Sequence, residues 1–337
     1  MKNLGILIGR FQPFHLGHDS LLQEALKQSD EVILIIGSSN RAPSIKNPWT
    51  FDERCTMIRE TYPDIRLHFA AIPDYFYNEK AWFEAVERAI DPLFPQFHKI
   101  LFGHSKDESS YYLQKFKTWE LRECPDFAQI NATEIRKTFF INQKIQHPLV
   151  SSMVADWLQN FMTTPAYLSL KEEAHYIETY RESWSQAPYP PIFSTVDALV
   201  LCDHKILLIE RANAPGKGLL ALPGGFLEPH EWIQNGILRE LKEETQIAAS
   251  DSELKNALQD IKTYDYPGRS NIGRVITHAG LFLLDGQVCP EVHAADDALS
   301  ANWHPLSNLS MIQDQFHDDH YQLIADFLSK KGRLKWE

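Results

Sequence analysis

Two short stretches near the start of the 337-residue chain confine its first half to a parallel α/β layout. An apolar run over 4–9 ends in Gly9-Arg10-Phe11-Gln12-Pro13-Phe14-His15-Leu16-Gly17-His18, and a helix is predicted at once over 16–27. Residues 31–37, EVILIIG, are almost continuously apolar, the pattern of a central strand covered on both faces. Further strands are predicted near 67–72 and 99–103, with a helix over 81–90 between them. Such alternation implies right-handed βαβ units and a doubly wound sheet. Ligands of these sheets sit beyond the carboxyl ends of the strands, where the 10–18 loop and residues 103–106 fall.

A chain of this length accommodates two domains. Residues 148–182 read as helical, and 185–191 contain Pro188, Pro190 and Pro191. Three prolines in four positions exclude helix and favour an extended tether, so the expected domains are 1–184 and 192–337. The tether leads to two strands, 194–202 and 205–210, turning at Asp203-His204. An acidic helix, strand structure over 272–284 and a closing helix over 321–330 complete the second half.

The formal net charge of −12 argues against a nucleic-acid binder, because phosphate backbones are captured by positive surfaces. It leaves nucleotide substrates open. No apolar run approaches the ~18 residues that span a bilayer. Cys55, Cys124, Cys202 and Cys289 are scattered without a CxxC pair and read as reduced thiols of a cytoplasmic protein. A homo-oligomer is left open.

His15 and His18 lie where a strand hands over to a helix, whose N-terminal N–H groups and partial positive charge suit phosphate. Imidazoles there can donate to a pentacoordinate phosphorus and a departing pyrophosphate, and Arg10 adds a cationic fork. No GxGxxG follows the first strand, which disfavours a dehydrogenase. In the second half, Gly225-x5-Glu231-x7-Arg239-Glu240-Leu241-x-Glu243-Glu244 sets Glu240, Glu243 and Glu244 at i, i+3 and i+4, on one helix face. Like charges so placed call for a cation, and oxygen ligands favour Mg2+ or Mn2+.

The first block resembles the nucleotidyltransferase superfamily marked by His-x-Gly-His, which implies a Rossmann-like domain. Ile130-Asn131-Ala132-Thr133-Glu134-Ile135-Arg136 is similar to its second motif, with Asn131 in place of the usual Ser. The resemblance gives Asn131, Thr133 and Arg136 to the ATP phosphates, with Arg136 catalytic beside His15 and His18. Asn47-Pro48-Trp49-Thr50-Phe51-Asp52-Glu53-Arg54 also matches, making Arg54 a phosphate ligand. Gly103-His104-Ser105-Lys106-Asp107 matches at the adenine and ribose side. Asn78-x3-Trp82 resembles the nicotinamide pocket of archaeal-type nicotinamide mononucleotide (NMN) adenylyltransferases, where the Asn holds the carboxamide and the Trp stacks on the ring. Trp82 as plain core is the alternative.

The acidic block is similar to the Nudix box, which implies an α/β/α domain with a mixed sheet and a metal held by Glu240, Glu243 and Glu244. Glu231 and Arg239 read as a structural pair. Gln246 replaces the family's late Gly, so it adopts a strained conformation or the helix ends differently. Tyr266-Pro267-Gly268-Arg269-Ser270, Gly273-Arg274 and Ala295-Asp296-Asp297-Ala298 resemble the ADP-ribose-handling Nudix domains fused to NMN adenylyltransferases. That assigns Gly224, Gly225, Arg269 and Arg274 to substrate. The resemblance implies a bifunctional enzyme using ATP, NMN and ADP-ribose, with Mg2+ or Mn2+ at both sites. Alternatives are a nucleotide-sensing Nudix half, another nucleoside diphosphate there, and use of nicotinate mononucleotide by the first half.

Overall fold

The computed structural model describes residues 1–104, 108–125, 127 and 130–330. It comprises two compact units, Met1–Ala174 and His175–Glu337. In the first, β1 (Asn3–Gly9), β2 (Glu31–Ile36), β3 (Leu67–Ala71), β4 (His98–Gly103) and β5 (Glu120–Glu123) form a sheet in the order β3-β2-β1-β4-β5. All four pairings are parallel. Its helices are α1 (Leu16–Gln28), α2 (Phe51–Thr61), α3 (Glu79–Ile90), α4 (Ala132–Phe140) and α5 (Ser152–Phe161). α6 (Pro165–Ser183) begins in this unit.

The apolar run of β2 shows why both faces are covered. Val32, Leu34 and Ile36 join one core cluster with Leu22 of α1, Ile58 of α2 and Leu158 of α5. Ile33 and Ile35 point the other way, into a second cluster with Val86 and Ile90 of α3, as the two-residue period of a strand requires. Sequence order reverses at β1, between β2 and β4. Their carboxyl ends therefore open at a topological switch point.

The second unit is a mixed sheet with helices on both faces, as expected. Its strands are β6 (Ile192–Cys202), β7 (Lys205–Arg211), β8 (Leu220–Ala221), β9 (Gly224–Phe226), β10 (Leu258–Tyr264), β11 (Arg274–Leu284) and β12 (Ala298–Pro305). The main order is β10-β11-β6-β7-β12, with β8 on β7 and β9 on β6. β6 and β11 run parallel from Arg274 opposite Ile192 to Leu284 opposite Cys202. Val196, Ala198 and Val200 pack on Ile237 and Leu241 of α7 (Ile233–Thr245) and Leu254 of α8 (Asp251–Ala257). On the opposite face α9 (His320–Lys330) buries Leu323, Ile324 and Phe327, the last meeting Tyr264 edge to face.

Two expectations are revised. The units divide inside α6 and not within 185–191, because the last turns of that helix pack forward. Tyr180 of the helix and Trp184, one residue past its end, lie 5.7 and 5.2 Å, ring to ring, from Phe193. The four cysteines are not all thiols either. Cys202 and Cys289 form a disulfide with a Cα–Cα distance of 5.6 Å, across 87 residues of chain. Spacing could not reveal it. Cys202 ends β6 opposite Leu284, and the loop five residues on returns to it. Cys55 and Cys124 are free, and burial pushes the Cys55 thiol up to about 11. Among the described residues no helix is long and apolar enough to cross a membrane.

Gln246 settles the question raised by its missing glycine. It sits at the C-cap of α7 with φ 42° and ψ 36°, its N–H donating to the Lys242 carbonyl at 2.9 Å. The helix thus ends in the left-handed conformation with a side chain present, at a cost of about 1 kcal/mol. Gln246→Gly should therefore raise the melting temperature of this unit by roughly 2–4 °C. A thermal scan showing a fall would mean that the Gln side chain contributes more than its backbone strain costs.

Candidate active sites

In the first unit the sequence between β1 and α1 is held open by neighbours that bind its backbone. Phe11 takes a left-handed φ of 52°, a strained conformation of the sort that clusters at functional sites. The Gln12 amide donates to the Trp49 carbonyl at 2.8 Å and accepts from the Trp49 N–H at 3.1 Å. Arg54 donates from Nη1 to the carbonyls of Arg10 and Gly37, both at 2.7 Å, and from Nε to that of Thr50 at 3.1 Å. Arg136 donates to the Gln12 carbonyl at 2.6 Å, the Ile45 carbonyl at 3.1 Å and the Thr133 hydroxyl at 3.2 Å.

Arg54, expected at a phosphate, is engaged here by the loop backbone. The residue is 1% exposed and its guanidinium is committed to carbonyls, so it positions the loop from beneath. Arg136, 6% exposed, braces the same loop through Gln12. Burial, with a smaller contribution from the nearby Arg10 charge, lowers both to about 10. Both remain cationic at neutral pH. Arg10 itself is exposed, so the loop concentrates three positive charges and presents one.

His15 caps α1. Its Nδ1 accepts from the N–H groups of Gly17 at 3.2 Å and His18 at 3.4 Å, and the His15 N–H donates to Nδ1 of His18 at 3.4 Å. The two rings stack at 3.6 Å. An imidazole whose Nδ1 accepts carries its proton on Nε2 when neutral. Both rings are therefore set as Nε2–H donors at the end of β1.

At the edge of this unit Asn78 caps α3, its Oδ1 accepting from the Ala81 N–H at 3.2 Å. Trp82, four residues on, is only partly buried and packs at 5.7 Å against Tyr112 and 6.2 Å against Phe116. Asn131, expected at the ATP phosphates, caps α4 by accepting from the Thr133 N–H at 2.9 Å. Gly103 is the last residue of β4. Lys106 and Asp107 lie outside the described residues.

In the second unit α7 carries the acidic face. Arg239 forms the expected pair with Glu231 through two hydrogen bonds, at 3.1 and 2.7 Å. It does more than expected, because its Nη1 also bonds Glu240 and Glu243, each at 2.8 Å. Glu244 turns inward, 4% exposed, and accepts the Gly224 N–H at 2.8 Å. The expected convergence of three carboxylates is not seen. Among the described residues no three acidic, imidazole or thiol groups are gathered to hold a metal. Like charges one turn apart take the nearest cation, and that is Arg239.

The donor set nevertheless fits a hard divalent ion. Burial pushes the Glu244 carboxyl up to about 8, with the Glu240 charge adding to it, and burial raises Glu240 as well. Both would gain from a positive charge. The backbone is shaped for close approach: a Cβ on Gly225 would stand 2.6 Å from a Glu240 oxygen, and one on Gly224 only 2.2 Å from the Val196 carbonyl. Glycine is needed at 224, where the obstacle is backbone, while at 225 a side chain would have to displace the Glu240 carboxylate.

A cavity of about 470 Å³ opens beside this cluster, lined by Gly224, Gly225, Glu244 and Arg269 among others. Arg269 is 5% exposed and held by Asp319 through two bonds at 3.1 and 2.9 Å. Arg274 instead donates to the Asp265 carbonyl at 2.6 Å and is not part of the lining. Sequence reading missed a polar set at the cavity floor. Asp197 accepts from Thr277 at 2.5 Å, and His320, whose Nδ1 accepts the Leu222 N–H at 3.0 Å, lies 3.8 Å from it. Burial lowers the His320 pKa and keeps it neutral. A single carboxylate inside the apolar run of β6 was the available signal.

Residues 192–327 match the NUDIX domain family and residues 6–74 the cytidylyltransferase-like family. A crystal structure of a bifunctional NMN adenylyltransferase/ADP ribose pyrophosphatase from Francisella tularensis, complexed with AMP and a manganese ion, is 38% identical. It superposes with a TM-score of 0.93 over 98% of this chain and 99% of its own. The chain belongs to this bifunctional family. Each half also has separate relatives. A nicotinamide/nicotinic acid mononucleotide adenylyltransferase of Acinetobacter baylyi is 35% identical over 50% of this chain and 91% of its own length. An ADP-ribose pyrophosphatase of Methanocaldococcus jannaschii is 38% identical over 41% of this chain and 73% of its own. The family's two halves thus coincide with the two clusters described: the stacked His15–His18 pair of the transferase unit and the Glu-rich α7 of the Nudix unit.

Proposed function

We propose that the chain is a bifunctional enzyme of NAD metabolism. Its transferase unit joins NMN and ATP to give NAD and pyrophosphate, and its Nudix unit splits ADP-ribose with water into AMP and ribose 5-phosphate. The observation that carries this is the presence, in one chain 38% identical to a two-activity enzyme, of both sets of chemistry-bearing side chains. Turnover of NMN plus ATP, and separately of ADP-ribose, by the purified chain tests it. Failure of either reaction removes that half of the proposal.

In the transferase unit the NMN 5′-phosphate attacks the α-phosphorus of ATP in line, and pyrophosphate departs without a covalent enzyme intermediate. His15 and His18 donate from Nε2 to the charge that develops, Arg10 meets the polyphosphate, and Arg54 and Arg136 keep their loop in place. Lys106 and Asp107 complete the nucleotide side in this reading. Asn78 spends its Oδ1 on the helix cap, so what it offers a ligand is its amide N–H, a donor suited to a carboxamide oxygen.

Trp82→Ala should raise the NMN requirement roughly 30-fold, the equivalent of about 2 kcal/mol for a desolvated cation–π contact, with ATP dependence nearly unchanged. An unchanged NMN dependence would return Trp82 to the aromatic core it touches. The name of the Acinetobacter relative covers both mononucleotides, which favours a second reading in which nicotinate mononucleotide is also accepted.

In the Nudix unit Glu240, Glu243 and Glu244 would hold a divalent cation, Mg2+ or Mn2+. Bound there, such an ion neutralises the diphosphate and lowers the pKa of a water. For Glu240 and Glu243 this requires release from Arg239, which keeps Glu231 as its partner. All three box carboxylates are retained, which favours a hydrolase over a sensor. ATP as substrate supports a cytoplasmic location, while the Cys202–Cys289 disulfide counts against a reducing one.

A further inference from the structure

Helix α6 carries Tyr176 and Tyr180 four residues apart, on one helix face, and Trp184 follows in the turn just past its end at Ser183. They precede the stretch matched by the NUDIX family, which begins at residue 192. Tyr176 and Tyr180 nevertheless line the cavity that holds Glu244, Gly224 and Gly225, and Phe226 of β9 joins them. Tyr176 and Phe226 are each 45% exposed, and Tyr180 is partly buried. Large rings left half-open to a cavity beside a cluster of carboxylates present flat apolar faces with no core partner on that side.

The rings are braced from behind. Phe193 stands between Tyr180, at 5.7 Å, and Phe226, at 5.9 Å, and Trp184 closes on it at 5.2 Å. Arg181 ties the helix to the far lip of the cavity, donating to the Asn271 carbonyl at 2.5 Å. The wall is therefore fixed before any ligand arrives, which lowers the cost of binding a rigid, planar group. The rest of the lining is polar or charged, including Asp197, Arg269 and Glu244, and suits a diphosphate and a hydroxylated sugar.

We infer that Tyr176, Tyr180 and Phe226 form the platform on which the planar base of a nucleoside diphosphate substrate stacks in the Nudix unit. This deepens the hydrolase reading and rests on it. The Nudix pocket is then incomplete without the last turns of α6, so a fragment starting at residue 192 lacks part of its substrate site.

The test uses the full chain with Tyr176→Ala, Tyr180→Ala and Tyr180→Phe. Loss of a base–aromatic stack typically weakens binding on the order of tenfold or more. Each Ala variant should raise the KM for ADP-ribose about tenfold with kcat within about twofold, and Tyr180→Phe should remain near wild type. Inhibition by the two products fixes the orientation. AMP should lose potency against the Ala variants, whereas ribose 5-phosphate should inhibit them as it inhibits the parent. Calorimetric binding of ADP-ribose without added metal reads the same contact without turnover, and should show the same tenfold loss.

Unchanged KM, a fall in kcat alone, or weakened inhibition by ribose 5-phosphate in place of AMP would overturn the proposal. So would a Tyr180→Phe variant as impaired as Tyr180→Ala. A parent chain that bound ADP-ribose through these tyrosines but did not cleave it would overturn only the hydrolase reading. Adenylyl transfer by the same samples, expected unchanged, reports that the first unit remains folded.

Discussion

His18→Ala should lower the rate of adenylyl transfer ~100- to 1000-fold, the usual cost of removing one preorganised donor to a charged transition state. The effect should fall on kcat more than on KM, because the contact strengthens as charge develops on phosphorus. The geometry makes His18 the more informative of the pair. His15 accepts two backbone N–H groups and caps α1, so its loss would damage the helix start as well as the chemistry. His18 accepts the His15 N–H at 3.4 Å, a long bond, and caps no helix start itself. ADP-ribose hydrolysis by the same protein should be unchanged. Near-normal transferase turnover in His18→Ala would remove it from the mechanism.

The transferase fold was legible because β1 and β2 are read by periodicity alone, and because strand–helix alternation restricts connection and handedness. The short β5 was not, since Glu120–Glu123, ELRE, has no apolar period to detect. The positions of site residues were legible where a motif sits at the end of a regular element, as with His15, His18 and Glu240. Their bonds were not. Nothing in the spacing of Arg54 says that its guanidinium lies under the loop bonded to carbonyls, since that depends on residues 17 and 44 positions away. The same reason hid Asp197–His320 and the Cys202–Cys289 pair, which are brought together by sheet register and not by local sequence. The proline-rich stretch was read as a boundary between independent halves. The prolines lie beyond the end of α6 at Ser183, and which unit the last turns of that helix pack against is a tertiary matter, set by Phe193.

Glu244→Gln should abolish ADP-ribose hydrolysis, by more than ~100-fold, while leaving the Nudix unit folded and adenylyl transfer intact. Substitutions that touch metal ligands only indirectly already cost 10- to 100-fold, and this one removes the charge of a ligand itself. The fold should survive because Gln keeps an oxygen to accept the Gly224 N–H and matches the shape of Glu. A carboxyl pushed up to about 8 by burial is costly to keep ionised, so its neutral isostere should leave the melting temperature equal or higher. Loss of activity with undiminished stability separates a chemical role from a structural one. The same assay addresses a conflict built into the chain, which makes NAD in one unit and splits a diphosphate in the other. NAD and ADP-ribose share the ADP moiety and differ at the far ribose, where NAD carries a bulky cationic ring and ADP-ribose a free hydroxyl. A cavity of about 470 Å³ with polar walls can take the small polar end and exclude the ring by shape and unpaired hydrogen bonds. AMP release with Mg2+ or Mn2+ should therefore strongly favour ADP-ribose. Equal or faster cleavage of NAD would overturn the assignment of substrate, and full activity in Glu244→Gln would overturn its role at the metal.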